Sequence, residues 1–465
     1  MPQVELQAVL HGIRNSLETP SRTPRMAVVI GRLLALAFLL CFATGIYSHF
    51  LQDPQPWMRF STRPVGLYQL TQGVHIIAGI VCFPLILAKL YVIYPLLFQS
   101  PAIKSWGHLL ERASIALFVA ASLVEITIGL LNTYQWYPFP FAFKETHYAL
   151  SFVIVGSLAI HIATKLELIS THWRRSGGVE DAAPVLAESP AVSGSPASSG
   201  LTARVFAWID RPPGGVAAVE LVPAVEFAHA AEFAHAAEFA HAAEFAHAAE
   251  FAHAAELVPA AEIENSASTS RRGFLVVVGI AVAAVVTFTG GQSFRLLDAT
   301  NLFAPRKAGI GPNALPVNRT AQAAQVVAAA SAADWVLTVT SGETVQTFSR
   351  AELLAFPQRQ VELPIACVEG WSQSAVWRGV RVRDLAAAVG AGPGASIRAT
   401  SLERNSKYAV SELAPNFADD DLTLIALEVN GAVLDLDHGY PARLIAPARP
   451  GVLQTKWLDR LDVLA

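Results

Sequence analysis

The sequence predicts a multidomain protein in which an all-α transmembrane bundle of four spans and a fifth anchoring span precede an α+β domain. Composition is the first observation, because 53% of the residues are apolar and only 15% are charged, against about 25% charged in soluble domains. The second is a set of five apolar stretches that approach or exceed the roughly 20 residues needed to cross a bilayer core. The third is a change beyond residue 334 to short alternating strands.

These shifts in composition also predict the domain boundaries. The apolar stretches lie near 27–47, 67–97, 109–131, 146–166 and 273–290. A helical bundle, a low-complexity cytoplasmic linker, a membrane anchor, an extracytoplasmic linker and the α+β domain are therefore expected at 1–175, 176–269, 270–292, 293–333 and 334–465.

The orientation in the lipid bilayer follows from the cations near the ends of the spans. One side carries Arg14, Arg22, Arg25, Lys104, Arg174, Arg175, Arg271 and Arg272, and the opposite loops carry mainly Arg59, Arg63 and Lys144. This predicts a multi-pass protein of the cytoplasmic membrane, with the N-terminus inside and everything from about residue 291 outside. The net charge of -4 does not indicate nucleic acid binding.

The cytoplasmic linker contains five near-identical copies of Glu-Phe-Ala-His-Ala-Ala at 226–255. A helical metal site places histidines at i and i+4, whereas a six-residue period turns a helix by about 600°, so successive histidines diverge. This favours a spacer, with weak metal or partner binding as the alternative.

Ser270-Arg271-Arg272-Gly273-Phe274-Leu275 opens the fifth span and is similar to a twin-arginine signal. The twin-arginine translocation machinery, which exports folded domains, is therefore an expected partner. The alternative is two arginines that only anchor a helix on the inside.

Histidines at membrane depth are functional candidates. His147 and His161 are 14 residues apart, close to four helical turns, so they share a face about 21 Å apart. That separation suits two stacked haems, each held by one histidine from each of two facing helices. We pair His75 with His147 at the outer end and His108 with His161 at the inner end, with His49 in reserve. Hydrogen bonding between helices is the alternative.

With Thr71-Gln72-Gly73-Val74-His75, this spacing resembles a four-helix b-type cytochrome of the kind associated with periplasmic dehydrogenases. The resemblance implies one or two haem b groups and exchange of electrons with the quinone/quinol pool. Glu125, midway along the third span, is either a proton relay to a quinone or a protonated residue bonded to a neighbour.

The α+β domain is marked by alternating strands at 335–340, 424–429 and 442–446, by a helix at 382–389 and by an Asn430-Gly431 turn. Its chemistry centres on Cys367. Cys41 and Cys82 lie in apolar runs and are expected to be small buried hydrophobes. Neither a CxxCH haem attachment motif nor an iron–sulfur cysteine cluster is present in the sequence.

Leu363-Pro364-Ile365-Ala366-Cys367-Val368-Glu369-Gly370-Trp371-Ser372 resembles the molybdenum-binding segment of the sulfite oxidase and methionine-sulfoxide reductase superfamily. Further matches follow in order: Trp377-Arg378-Gly379-Val380, Tyr408 with Ser411, Asn430-Gly431, Asp437-His438-Gly439-Tyr440-Pro441-Ala442-Arg443-Leu444, and Pro450-Gly451-Val452-Leu453-Gln454-Thr455-Lys456-Trp457.

The resemblance implies a molybdenum–molybdopterin cofactor with Cys367 as its protein ligand. Trp371 and Ser372 would contact the cofactor, and His438, Arg443, Arg449 and Lys456 would lie by the pterin phosphate or the substrate. Cys367, Arg443 and His438 are the predicted catalytic residues. The alternatives are solvated surface cations and, for His438, a turn residue that caps a strand. The domain is shorter than its relatives, and 301–303 and 315–318 are candidate remnants of pterin contacts.

We therefore expect a membrane-bound oxidoreductase that couples oxygen-atom transfer on a small extracytoplasmic substrate to haem b and the quinone pool. The alternatives are a b-type cytochrome that carries a metal-free binding or sensory domain, and a cytochrome with a docking site for a separate redox partner. The substrate and the direction of electron flow stay open.

Overall fold

The computed structural model describes residues 21–95, 103, 105–166, 169–170 and 270–464. The repeats of the 176–269 linker, together with Arg14, Lys104, Arg174 and Arg175, lie outside the described residues. Two compact units divide the chain, and the second contains only Ser21 and 270–275 of the described residues. The remaining features belong to the first unit, which comprises Met1–Glu18, Arg22–Arg174 and Val276–Ala465.

Five of the described helices are long and apolar enough to cross a membrane. They are α1 (Pro24–Gln52), α2 (Leu67–Ile93), α3 (Trp106–Thr133), α4 (Phe143–Thr164) and α5 (Arg271–Thr289). Thr23 caps α1 by accepting a hydrogen bond from the Met26 amide, and Pro24 occupies the first turn, where a missing amide proton costs nothing. Ser105 caps α3 in the same way, through the His108 amide.

The helices pack through aromatic side chains and expose aliphatic ones. Phe38 lies edge-on to Phe118 with ring centroids 5.1 Å apart, which joins α1 to α3. By contrast, Leu39 of α1 and Ile280 of α5 are 62% and 61% exposed. Large apolar side chains that face outwards along several helices are more stable in contact with lipid than with water.

The C-terminal domain contains two five-stranded sheets and short helices. Its strands are β1 (Val336–Ser341), β2 (Thr344–Ser349), β3 (Arg359–Ala366), β4 (Ser372–Arg381), β5 (Ser396–Ser401), β6 (Val410–Leu413), β7 (Leu424–Val429), β8 (Ala432–Val433), β9 (Arg443–Ile445) and β10 (Leu458–Leu464). Its helices are α6 (Val327–Ala330), α7 (Arg350–Ala355), α8 (Val382–Ala388) and α9 (Pro415–Ala418).

One sheet has the order β2-β1-β10-β5-β6, with β1 and β10 parallel, and the other has the order β3-β4-β7-β8, with β9 beside β7. The predicted strands and the helix at 382–389 agree with β1, β7, β9 and α8. Asn430 and Gly431 both have positive φ, at 50° and 80°, and close the tight turn between β7 and β8.

The second sheet covers an apolar core that reaches the predicted cofactor segment. Trp377, which is fully buried, donates a hydrogen bond from its indole to the Leu363 carbonyl oxygen at 3.2 Å. Cys367 and Leu315 lie in the same cluster of buried residues. The end of β3 is therefore held by packing against β4 and against a segment upstream of the sheet, which contains Leu315.

That upstream segment differs from the prediction, which placed 293–333 in a linker. Leu315 is 0% exposed, and Ala321 and Ala330 pack with the buried Trp457. The Ala321 amide also donates to the Asp437 carboxylate at 2.8 Å. The domain therefore begins before residue 334. An alanine-rich segment looks like low complexity in sequence, but its small side chains let the backbone approach the core closely.

The domain lies against the helix ends that flank the 53–66 and 134–142 loops. Arg63 makes a bidentate ion pair with Asp420, at 2.8 and 3.0 Å. Phe60 accepts a hydrogen bond at its carbonyl oxygen from Asn416 at 2.8 Å, and Tyr408 donates to Gln52 Oε1 at 3.1 Å. The bundle and the domain thus share one interface within the first unit.

Candidate functional site

Cys367 lies in the tight turn that joins β3 to β4. Its amide donates to the Trp371 carbonyl oxygen at 2.8 Å, and the Gly370 amide donates back to the Cys367 carbonyl oxygen at 3.1 Å. Gly370 has a φ of 99°, which strains any residue with a Cβ. The turn holds the thiol inward, where it is 1% exposed. Burial, and then the Glu369 carboxylate, raises the pKa of the Cys367 thiol well above its usual range.

Two buried cations lie close enough to Cys367 to interact with it electrostatically. Arg443, on β9, is 1% exposed, and Lys456 is 9% exposed. Burial lowers the pKa of Arg443 to about 9, and Cys367 partly offsets this effect. Burial and then Arg443 lower the pKa of Lys456 to about 7. The alternative of solvated surface cations is therefore wrong for both residues.

The hydrogen bonds of two buried arginines, Arg443 and Arg449, are incomplete among the described residues. Arg443 Nη1 donates to the His438 carbonyl oxygen at 3.3 Å, but its buried Nε has no partner among the described residues. Arg449 is likewise buried. Its Nη2 donates to the Glu412 carbonyl oxygen, while its Nη1 is unpaired in the described structure. Burial lowers the pKa of Arg449 to about 10. Buried donors without partners are rare in proteins and suit an anionic ligand.

Trp371 and Ser372, the other predicted cofactor contacts, directly follow the turn. Trp371 is 3% exposed and accepts the Cys367 amide at its carbonyl oxygen. The Ser372 hydroxyl is buried and has no hydrogen-bond partner in the part of the chain that the structure describes. The thiol, the unpaired guanidinium nitrogens and this hydroxyl together fit an anionic cofactor held by one thiolate.

The contacts of His438 support the fold of the domain. Its Nε2 donates to the carbonyl oxygens of Pro312 at 2.9 Å and Leu315 at 3.2 Å, which ties the upstream segment to the site. Burial, and then the charges of Arg443 and Lys456, lower the pKa of His438 to about 4. A neutral imidazole that donates to these backbone carbonyl oxygens agrees with the alternative in which His438 is a structural residue of the turn. Its predicted catalytic role stays a prediction.

Sequence reasoning missed Glu369, whose only signal was its position two residues after Cys367. Its carboxylate accepts a hydrogen bond from Gln135 Nε2 at 2.5 Å. Burial raises the pKa of Glu369, and this hydrogen bond partly offsets the rise. Gln135 lies in the loop after α3 and is bonded in turn to Arg306. A residue of the helical part thus reaches the carboxylate beside the thiol.

A cavity of about 220 Å³ lies in the bundle and ends at Val368, the residue after Cys367. Its lining includes the predicted outer pair, His75 and His147, whose ring centroids are 6.0 Å apart. Two glycines face these rings. A Cβ at Gly45 would lie 2.9 Å from His75 Cε1, and a Cβ at Gly129 would lie 3.6 Å from His147 Cε1. The structure therefore brings the outer pair together in a space that larger residues would fill.

Two further predicted residues line this cavity. Glu125 Oε1 is 3.4 Å from His147 Nε2, and its two alternative roles both stay predictions. The reserve ligand His49 stacks on Tyr148, with ring centroids 3.8 Å apart.

The predicted inner pair, His108 and His161, stays a prediction, although one ion pair argues for unequal heights of the two residues. An ion pair of 2.6 Å between Lys165 and Glu111 sets the register of α3 against α4. His161 lies four residues from Lys165 towards the outer end, and His108 lies three residues from Glu111 towards the inner end. The offset of seven residues is about 10 Å along the axis. The charged neighbours of His161 are Lys89, Glu111 and Lys165.

Comparisons with known proteins agree with the geometry of the domain. The family model of the oxidoreductase molybdopterin binding domain matches residues 323–465. Sulfite oxidase from Arabidopsis thaliana is 45% identical over 42 residues, which cover 9% of this chain and 11% of that protein. Mitochondrial sulfite oxidase from Drosophila melanogaster is 27% identical over 158 residues, which cover 28% of this chain and 27% of that protein.

A nitrate reductase (NAD(P)H) from Hordeum vulgare is 34% identical over 105 residues, which cover 20% of this chain and 12% of that protein. Among solved structures, the sulfane dehydrogenase SoxCD from Paracoccus pantotrophus matches with a TM-score of 0.26 and 25% identity, over 28% of this chain and 38% of that chain. This chain spans only 11% and 27% of the lengths of the two sulfite oxidases.

The C-terminal part of the chain is therefore a molybdopterin-binding oxidoreductase domain of the sulfite oxidase and nitrate reductase type. The family model begins at residue 323, which agrees with the earlier start of the domain in the structure.

Proposed function

We propose that this protein is a membrane-bound molybdenum-cofactor oxidoreductase that couples oxygen-atom transfer on a small extracytoplasmic substrate to haem b and the quinone pool. One observation carries the coupling. Val368, next to the proposed molybdenum ligand Cys367, lines the cavity that contains His75 and His147. The proposed catalytic site and the proposed haem site are therefore separated by a single residue of the chain.

The residues around Cys367 fit a molybdopterin. Cys367 would bind the metal as a thiolate, and the buried charges of Arg443, Arg449 and Lys456 would hold the phosphate or the substrate oxyanion. A bound metal favours the ionised thiol, which burial alone disfavours. When bound, the cofactor supplies two-electron oxygen-atom transfer, and the residues around it exclude water and fix its orientation.

The bundle cavity contains two histidines that would hold one haem. Two imidazoles that each bound one metal ion at about 2 Å would have ring centroids on the order of 6 Å apart. The centroids of His75 and His147 are 6.0 Å apart, and Gly45 and Gly129 leave space beside them. We propose one haem at this outer position. The separation of His108 from His161 does not favour a second haem between those two residues.

The membrane placement combines several expectations. The five apolar helices support a membrane protein, and the balance of cations supports a C-terminal domain outside the cytoplasm. The Arg271-Arg272 pair would direct that domain to the twin-arginine machinery after cofactor insertion. The metal-free binding domain is less favoured, because such a domain has no ligand for the buried Nε of Arg443, which lacks a partner among the described residues.

The test is the metal and haem content of the full-length protein in mild detergent. We expect about one molybdenum and one haem per chain in the wild type, and loss of molybdenum in Cys367→Ser. Cys82→Ala, which changes a buried thiol within α2, is the matched control and should keep both. Haem without molybdenum, from a host that makes the cofactor, would contradict the proposed enzyme. Molybdenum without haem would contradict the proposed coupling.

A further inference from the structure

The turn that contains Cys367 is held from outside its own domain. Three consecutive residues after the cysteine each accept a hydrogen bond. Gln72 Nε2 of α2 donates to the Val368 carbonyl oxygen at 3.3 Å. Gln135 donates to the Glu369 carboxylate at 2.5 Å, and the Ser293 hydroxyl, just beyond α5, donates to the Gly370 carbonyl oxygen.

Two of the three donors are shielded from water. Gln72 is 4% exposed and Ser293 is 1% exposed. They come from separate parts of the bundle: α2, the loop after α3 and the segment after α5. Side chains on three different elements therefore converge on one four-residue turn, and rearrangement of any of these elements would be transmitted to it.

Packing against α2 adds a steric constraint at Gly370. A Cβ at this position would lie 2.9 Å from Ile76 Cδ1 and 3.2 Å from Gln292 Nε2. The positive φ of Gly370 already disfavours other residues. Ile76 directly follows His75, so the same turn of α2 supports the cysteine turn and carries a proposed haem ligand.

We propose that Gln72, Gln135 and Ser293 are positioning residues that make the helical bundle a structural part of the molybdenum site. This inference rests on the proposed function. The turn is closed by only two backbone hydrogen bonds of its own, from the Cys367 and Gly370 amides. The outer hydrogen bonds select one geometry of the turn and so orient the Cys367 thiol towards Arg443.

A simple tether between domains would have other consequences. The ion pair between Arg63 and Asp420 joins the bundle to the domain without touching the turn. If the interface only tethers the domain, weakening this pair and removing the Gln72 bond should affect the cysteine turn alike. If the inference is correct, only Gln72, Gln135 and Ser293 should control the turn.

The experiment is hydrogen–deuterium exchange on the full-length protein in detergent, with and without the cofactor. The reporters are the Cys367 and Gly370 amides, which are hydrogen-bonded within the turn. We expect Gln72→Leu and Ser293→Ala to speed their exchange about tenfold, as loss of a hydrogen bond predicts. Gln69→Leu, a matched control one turn earlier on α2, and Arg63→Gln should leave exchange unchanged. Ser293→Thr keeps the hydroxyl and should restore protection.

A second readout is the electron paramagnetic resonance spectrum of Mo(V), which should shift in Gln72→Leu and stay as in the wild type in Gln69→Leu. Unchanged exchange in both Gln72→Leu and Ser293→Ala overturns the inference. So does equal acceleration in Arg63→Gln, which would indicate a tether. Faster exchange in β1 and β10 as well would indicate unfolding. In that case, slower exchange of the turn in Ser293→Thr than in Ser293→Ala supports the inference, and equal exchange in the two variants overturns it. Wild-type protein without molybdenum refutes the proposed function, while exchange in the cofactor-free chain still tests the positioning role.

Discussion

Replacement of Arg443 by methionine should stabilise the cofactor-free protein and abolish its ability to hold the cofactor. The guanidinium is 1% exposed, and its Nε has no partner in the described structure. Burial lowers the pKa of Arg443 from 12.5 to about 9. This shift corresponds to a free-energy cost of about 4–5 kcal/mol for the charged side chain in the folded protein. Because the unfolded chain binds the proton more tightly, this destabilisation is fully present at neutral pH and is relieved only as pH rises above about 9.

Methionine keeps most of the side-chain volume and removes the charge. It also removes the hydrogen bond to the His438 carbonyl oxygen and the contact with the Trp377 ring, whose centroid is 5.5 Å away. Each of these contributes on the order of 1 kcal/mol. The net gain in the free energy of unfolding should be about 2–4 kcal/mol, or a rise in Tm of roughly 5–15 °C.

The assay is thermal unfolding of full-length protein from a host that does not make molybdopterin, followed by molybdenum analysis from a host that does. Arg378→Met is the matched control, because Arg378 is exposed on β4 and paired with Glu428. We expect its Tm to change by less than about 2 °C. A lower Tm for Arg443→Met in the cofactor-free protein would refute the reasoning, since the charge would then stabilise the fold without any ligand.

Three further predictions follow from the described contacts. His147→Ala should remove the haem absorbance of the purified protein, whereas His108→Ala should leave it, because only His147 faces His75 in the cavity. Arg63→Gln and Asp420→Asn should have less than additive effects on the free energy of unfolding, with a coupling of about 0.5–1 kcal/mol that falls with salt. The cofactor-free protein should gain stability as pH rises from 7 to 9, because the pKa of Lys456 is lowered to about 7 by burial and then by Arg443. Lys456→Met should flatten this rise.

Each of these has a clear contrary result. Equal loss of haem in both histidine variants would place the iron elsewhere in the bundle. For the ion pair, Arg59→Gln is the control, since Arg59 bonds only to nearby carbonyl oxygens, of Pro56 and Met58, in the described structure, and strictly additive effects would contradict the coupling. A pH profile that is the same in Lys456→Met and in the wild type would assign the stability gain to another group.

Much of the architecture was predictable because it depends on contiguous sequence. An apolar stretch of about 20 residues satisfies its own backbone hydrogen bonds as a helix and needs no distant partner to be recognised. The Asn430-Gly431 turn is similarly local, because the left-handed conformation depends on these two residues. The cofactor segment around Cys367 was recognisable as a motif for the same reason.

The electrostatics of the site were not predictable, since burial depends on the whole domain. Arg443 and Lys456 are charged residues of types that usually lie at the surface, and only the folded domain buries them. The sequence could not decide whether the inner pair of histidines meets, for a related reason. Spacing along one helix fixes which face a residue occupies, whereas the relative height of two helices depends on their packing.

The sequence by itself determined the five apolar helices, the domain with alternating strands and the segment that carries Cys367. Only the tertiary structure decided that Gln72 meets Val368 and that Gln135 meets Glu369, across 296 and 234 residues of chain. The physical reason is one of range. Secondary structure and motifs follow from residues within a few turns of one another, whereas the contacts that shape the site form only when separately folded elements close on each other.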